Sequence, residues 1–357
     1  MRKKAVFIIL PLLLMLLMGC PGQQQPATNN TAGPGTVKVV ISPITVVEEK
    51  ETVVTGDTVI IPGTNQTDNR SIPYYTYEPN KSVFVFFMNT TNIKDWTQNA
   101  TNERHGEAIL IKKGDANILI DAGPRQTSSQ LINFLRERGV DNLALLISTH
   151  AREENYGGMD ALLGNMTVQQ FMWNGEQVDD PAYAAIVEKA TAKAKRVIIA
   201  DYLYQTSING INFMVINPQN GSNRFFDIDN DGIVLRITDR DFCLMTTGDI
   251  AYGPQTKIAN DANINPRCAI LQIPNYGLGQ GTSNIDLFLL KVAPGTAIIT
   301  GSFFDPAKER YTIEEKLRLQ GINYYETFFS NLTGKNGTDR TLRISSDGYN
   351  YSVVVQS

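Results

Sequence analysis

The stretch STHAREENYGG, residues 148–158, closes an apolar run and leads into a Gly-Gly turn. Within it stand His150, Arg152, Glu154 and Asn155. Imidazole and carboxylate groups on one tight loop are metal-ligand types. A loop that holds two ions would read His-x-His-x-Asp-His; here Arg152, Glu154 and Asn155 fill the last three of those places. Asp249 ends the run FCLMTTGD, and Asn275-Tyr276 interrupt LQIPNYGLGQG. The chemistry such a site would perform is activation of a water and polarisation of an ester or phosphoryl oxygen. The chain has only two histidines, His105 and His150, so it cannot assemble a His-rich pair of ions. A separate run, FFDIDNDGIVL, places Asp227, Asp229, Asp231 and Gly232 as Asp-x-Asp-x-Asp-Gly. That is the opening of a calcium loop, in which alternate oxygens wrap one ion. Thr238 stands where such a loop ends in Glu, and a plain acidic turn is the alternative reading.

These groups need elements to hold them. Leu143–Thr149 is an apolar run of strand length, GGMDALLG a short helix, and FCLMTTG and RCAILQIP strands. Strands are also expected in VFVFFM, EAILIKKG, NILIDAG, VQQFMWN, RVIIA, INFMVIN, GIVLRIT and TAIITG, and a closing hairpin in TLRISSDG and YNYSVVV. Helices are expected in SSQLINFLRERG, in PAYAAIVEKATAKAK with Pro at its first turn, in NIDLFLLKV and in PAKERYTIEEKLRLQG. Two sheets between layers of helices fit this alternation.

The first twenty residues stand apart. Arg2, Lys3 and Lys4 precede an apolar run that ends at Gly19-Cys20. This reads as a secretory signal with lipidation at Cys20, because the run is too short for a permanent span. Residues 21–36 are a polar, Pro/Gly-rich tether, residues 37–82 a small β extension with a linker, and residues 83–357 the main domain. The expected location is extracytoplasmic, on a membrane-anchored lipoprotein. Eleven Asn-x-Ser/Thr sequons, from Asn29 to Asn350, read as a glycosylated surface. In an oxidising compartment Cys243 and Cys268 are free to pair if their strands are neighbours; two buried thiols are the alternative. The formal charge is −4 and falls further once the basic leader is gone, so the chain is a poor match for a phosphate backbone. The expected partners are the membrane, through the lipid, and other cell-surface proteins.

HGEAILIKKGDANILIDAGP, residues 105–124, followed by LALLISTHAREENYGGMDALL, TTGDI and LQIPNYGLGQGTSN, resembles the metallo-β-lactamase-fold superfamily. Within it the chain resembles the hydrolase-like domain of ComEC-type DNA-uptake (competence) proteins. The resemblance spans residues 83–357 and implies an αββα sandwich, an α/β fold. It also implies that Asp121, Glu154 and Asp249 converge, with His105, Asn275 and Tyr276 at the rim. Uncompensated carboxylates are costly to bury, and a guanidinium can neutralise them with bidentate hydrogen bonds. Arg152 is therefore expected as a charge surrogate in a site that needs no metal. The protein would then be a non-catalytic binding or scaffolding protein at the cell surface. The alternative is a divergent hydrolase, phosphodiesterase- or nuclease-like, with one Mn, Zn or Mg ion on His150, Glu154, Asn155 and Asp249. Asp249, Glu154 and Tyr276 are the candidates for its chemistry.

Overall fold

The computed structural model describes residues 81–90, 106–221, 224–277, 286–300, 309–329, 338–339 and 341–356. The chain divides into two units, Met1–Val40 and Ile41–Ser357, and the described residues lie in the second. The signal, tether and β extension, with Cys20 and His105, lie outside them. No helix among the described residues is long and apolar enough to cross a membrane.

Two mixed sheets form the centre. From edge to edge the first runs Tyr351–Gln356, Thr341–Ser346, Val83–Asn89, Glu107–Lys113, Ala116–Ile120, Leu145–Ser148, Gln170–Trp173 and Arg196–Ile199. The second runs Asn323–Glu326, Thr296–Ile299, Ile270–Gln272, Phe242–Thr246, Val234–Asp239, Ile211–Asn217 and Gln205–Ile208. Strand alternation divides the buried side chains into three cores. Ile109 and Ile111 face inward and meet Phe213, Leu235, Ile237 and Leu244 of the second sheet. Their neighbours Ala108 and Leu110 face outward and pack with Leu131, Leu135, Met159, Leu162 and Tyr183 of the covering helices. On the far side Met245 and Leu271 pack with Ile258, Phe288, Leu289, Ile313 and Leu317. Helix, sheet, sheet, helix is the αββα sandwich expected from the alternation of elements.

The helices form for local reasons. Pro181–Lys193 starts with Pro, and the Asp180 carboxylate accepts from the backbone N–H of Ala182 at 2.9 Å and Tyr183 at 3.2 Å, a side-chain N-cap. Ser128–Glu137 buries Leu131, Ile132 and Leu135 at helical spacing. Some elements were not expected, the one-turn helix Glu153–Tyr156 among them. Tyr252–Asn260 is a helix with Pro254 in its first turn, where Pro is tolerated because the missing N–H would have had no partner. Gln205–Ile208 and Asn323–Glu326 are short edge strands, too brief and polar to show a period. The expected strand RCAILQIP contracts to Ile270–Gln272.

Parallel pairing sets the location of the site. Ala116–Ile120 and Leu145–Ser148 are parallel neighbours, as are Phe242–Thr246 and Ile270–Gln272. Asp121, His150, Asp249 and Asn275 therefore all follow carboxyl ends of strands, where open parallel sheets leave a crevice.

Candidate functional site

The first turn begins at Asp121, which adopts a left-handed backbone, φ 59°. Its carboxylate accepts the Thr149 backbone N–H at 2.9 Å, the Thr149 hydroxyl at 2.6 Å and the Asn155 side-chain amide at 3.1 Å. Thr149 Oγ1 also lies 2.7 Å from His150 Nδ1. Since the hydroxyl's one proton goes to the carboxylate, Nδ1 donates to the hydroxyl oxygen. That fixes the ring and points Nε2 at Asp249 Oδ2, 2.8 Å away. The Gly-Gly turn has a steric cause. A side chain at Gly158 would collide with the backbone carbonyl of Ala122, so the helix can pass over the Asp121 turn only with no Cβ there.

The second turn carries Asp249 after Gly248, which has φ 52°. Thr247 anchors it: its N–H donates to Gln272 Oε1 at 3.0 Å and its hydroxyl to the Gln272 carbonyl at 2.8 Å. Asn275 N–H donates to the Gly248 carbonyl at 2.8 Å. Asn275 and Tyr276 follow one another in the left-handed region, φ 48° and 53°, a costly pair for residues with side chains. Tyr276 is buried.

The third element is the acidic loop. Asp231, fully buried, accepts the N–H groups of Phe225 at 2.9 Å and Phe226 at 2.7 Å. Asp227 accepts those of Asp229 at 3.2 Å and Asn230 at 2.9 Å. Asp229 meets Arg152 in a bidentate pair, 2.6 Å to Nε and 2.7 Å to Nη2. The three carboxylates thus point in different directions, at the loop's own backbone and at Arg152. This is the acidic-turn arrangement, one of the two readings of the run. The loop lies against the His150 turn, with Ile233 N–H donating to the Thr149 carbonyl at 2.9 Å.

Arg152 also departs from expectation. Its fork closes on Asp229, not on Asp121, Glu154 or Asp249. The proximity of Glu154 and Asp249 adds a weaker attraction. Its place on the turn before helix Glu153–Tyr156 aims it outward across the mouth, at a loop far away in sequence. His150, Asp229 and Asp249 form the one group among the described residues able to hold a metal ion, with ligand atoms within 4.8 Å of one another. Asp229 thus enters the site from the run read as an ion loop of its own. Glu154 lies near Asp249 and His150, and Asn155 lies beneath, on Asp121. Cys243 and Cys268 are joined as a disulfide, Cα to Cα 4.9 Å.

Burial and charge decide the protonation states. Burial raises the Asp121 carboxyl, and its charge attraction to His150 opposes that, leaving it at about 6. Burial works against a charged His150, but Asp249 outweighs it and the ring is pushed up to about 9. Glu154 is raised by burial and by Asp249. Burial and the surrounding acids hold Tyr276 well above its usual value, so its phenol stays neutral. Glu107, absent from the expected site, is raised by burial to about 8, against hydrogen bonds from Thr300 and Gln272. Its sequence signal was its place in His105-Gly106-Glu107-Ala108; the signal for Thr149 was a polar residue ending an apolar strand.

Neither a known protein family nor a curated protein matches the chain in sequence. Solved structures resemble it in fold. The metallo-β-lactamase-fold protein YhfI from Bacillus subtilis aligns at 12% identity over 74% of this chain and 99% of its own, with a TM-score of 0.48. A diphosphatase of the PhnP family aligns at 11% identity over 61% of this chain and 86% of its own, TM-score 0.41. A Cronobacter sakazakii metallo-β-lactamase described by its HARLDQ motif aligns at 15% identity over 60% of this chain and 84% of its own, TM-score 0.35. All three are remote, and the αββα description rests on the sheet order and the three cores.

Proposed function

We propose that the protein is a metal-dependent hydrolase of the metallo-β-lactamase superfamily, working with one ion where the common loop would hold two. The observation that carries this reading is the convergence of His150, Asp229 and Asp249 within 4.8 Å of one another. The surroundings fit an ion. The Asp121–Thr149–His150 chain fixes the imidazole so that Nε2 is the ligand nitrogen, as outer-shell partners of metal-bound histidines do. The buried side-chain oxygen of Asn155 meets no donor among the described residues, and an acceptor so placed favours a cation or a polar ligand. One imidazole and two carboxylates suit manganese, zinc or magnesium. Such an ion would supply an activated water and polarise the scissile oxygen.

The chain's own groups account for the rest. Glu154, raised from its usual range and beside Asp249, is placed to take a proton and return it to the leaving group. Tyr276 stays neutral and serves as a donor. Arg152, 44% exposed, stands at the mouth, where an anionic substrate could draw its fork from Asp229. We place this activity outside the cytoplasm on a lipoprotein anchored at Cys20. The Cys243–Cys268 disulfide supports an oxidising compartment, and the sequons a glycosylated surface. The ComEC-like resemblance suggests a site near an uptake apparatus, acting on a phosphodiester or related ester.

A second reading has its own support. His150 with Asp249 and Arg152 with Asp229 pair their charges without an ion. That favours a binding or scaffolding protein at the cell surface. Elemental analysis of residues 21–357, purified without chelator or His-tag, separates the two. Near-stoichiometric manganese, zinc or iron, lost in Asp249→Ala together with hydrolysis of bis-p-nitrophenyl phosphate, supports the hydrolase. A folded protein free of transition metal, and inactive when manganese or zinc is added, refutes it.

A further inference from the structure

Glu107 stands at the start of a central strand of the first sheet and is 3% exposed. Among the described residues no ion pair accompanies it. The Gln272 side-chain amide donates to its Oε2 at 2.5 Å and the Thr300 hydroxyl to the same oxygen at 2.6 Å. Gln272 ends a strand of the second sheet and Thr300 directly follows another, Thr296–Ile299, so this one oxygen bridges the sandwich beneath the site. A buried carboxyl is costly and would be replaced by an apolar residue if packing alone were at stake.

The bridge leads to both halves of the site. Toward the first turn, the Glu107 backbone carbonyl accepts Gly123 N–H at 2.9 Å, and Asp121 lies just before Gly123. Toward the second, Gln272 passes the contact on, its Oε1 accepting Thr247 N–H at 3.0 Å and its carbonyl the Thr247 hydroxyl at 2.8 Å. Thr247 leads through Gly248 to Asp249. One residue thereby holds the turn that fixes His150 and, through Gln272 and Thr247, the turn that carries Asp249. Their separation fixes the 2.8 Å between His150 Nε2 and Asp249 Oδ2.

We infer that Glu107 is a positioning residue that spaces the His150 turn of one sheet from the Asp249 turn of the other, acting through Gln272 and Thr247. This does not rest on the hydrolase reading: it concerns the pair itself, with or without an ion. Gln272 is the relay, with its amide facing Glu107 and its two oxygens facing Thr247. Thr300 shares the Glu107 oxygen but lies off that path.

The test reads the His150–Asp249 hydrogen bond directly. The chain has two histidines, so the imidazole N–H resonances of metal-free, 15N-histidine-labelled protein are few, and His105→Gln assigns them. Glu107→Gln keeps an acceptor oxygen for both donors and should leave the His150 Nε2–H resonance in place, whereas Glu107→Met, which keeps the length but no acceptor, should shift it; an unchanged resonance in folded Glu107→Met overturns the inference. Gln272→Met should shift or abolish it in a protein that circular dichroism shows to be folded. Thr247→Val, which deletes only the 2.8 Å bond to the Gln272 carbonyl, should shift it less and decides the matter if Gln272→Met does not fold. Thr300→Val should lower the melting temperature without moving the resonance. An unchanged resonance in folded Gln272→Met, or in Thr247→Val where the first does not fold, overturns the inference. So does an equal displacement in Thr300→Val, which would mean general loosening of the core.

Discussion

Two ion pairs lie side by side at this site, and their lengths are nearly equal: 2.8 Å for His150–Asp249 and 2.6 Å for Arg152–Asp229. Their surroundings differ. The His150 side chain is wholly buried and that of Asp249 10% exposed, whereas Arg152 and Asp229 are 44% and 31% exposed. The buried pair is held from behind through Thr149, Asp121, Gln272 and Glu107; the exposed pair is held by its own two ends. Distance alone therefore says little about what a charge pair does. Water screens the outer pair and leaves it exchangeable, while the inner pair has no solvent to fall back on.

The largest expected effect comes from removing one inner partner. Asp249→Ala strands a buried imidazole, and urea denaturation of metal-free protein should show a loss of about 3–5 kcal/mol. A loss no greater than that of an outer-pair variant would erase the contrast. The second test is pH. The folded-state value of His150, about 9, lies above its unfolded value of 6.5. Its contribution is therefore complete below pH 6.5 and gone above pH 9, a decline of about 3 kcal/mol. Glu107, raised from 4.5 to about 8, acts in the same direction. The metal-free melting temperature should fall steadily from pH 6.5 to 9; a rise would mean that His150 is neutral in the fold. Third, Asp121→Asn turns an amide toward donors that need an acceptor and should cost about 2 kcal/mol, with a downward shift of the His150 titration by NMR.

The smallest effect belongs to the outer pair. Arg152→Ala should change stability by less than about 1 kcal/mol, and less still in high salt. By freeing Asp229 it should also tighten manganese binding in a calorimetric titration. A loss of several kcal/mol would instead restore Arg152 to the role of charge surrogate that its place in the motif suggested.

The framework was legible because strand and helix periods are local properties. Ile109 and Ile111 alternate with Ala108 and Leu110, and that alternation alone separates two cores. His150 and Asp249 were legible from their position after apolar strands. The partner of Arg152 was not, because the choice between Asp229 and the nearer acids depends on how a loop some eighty residues away folds back. The acidic run reads two ways for a related reason: Asp-x-Asp-x-Asp spacing is shared by ion loops and by turns that cap their own N–H groups. The role of Glu107 was not legible because its neighbours across the sandwich, Gln272 and Thr300, lie far along the chain.

The sheet order has a consequence for how the chain acquires its shape. Val83–Asn89 pairs on one side with Glu107–Lys113, which follows soon after, and on the other with Thr341–Ser346. The strand that opens the domain therefore waits for one made near its close. Until that late strand arrives, Val83–Asn89 presents an unpaired edge of Val, Phe and Met, the kind of surface that recruits other chains. A polypeptide emerging amino end first cannot finish this sheet as it emerges. Contacts of such long range slow folding, and the interval before they form is when the protein is most exposed to aggregation.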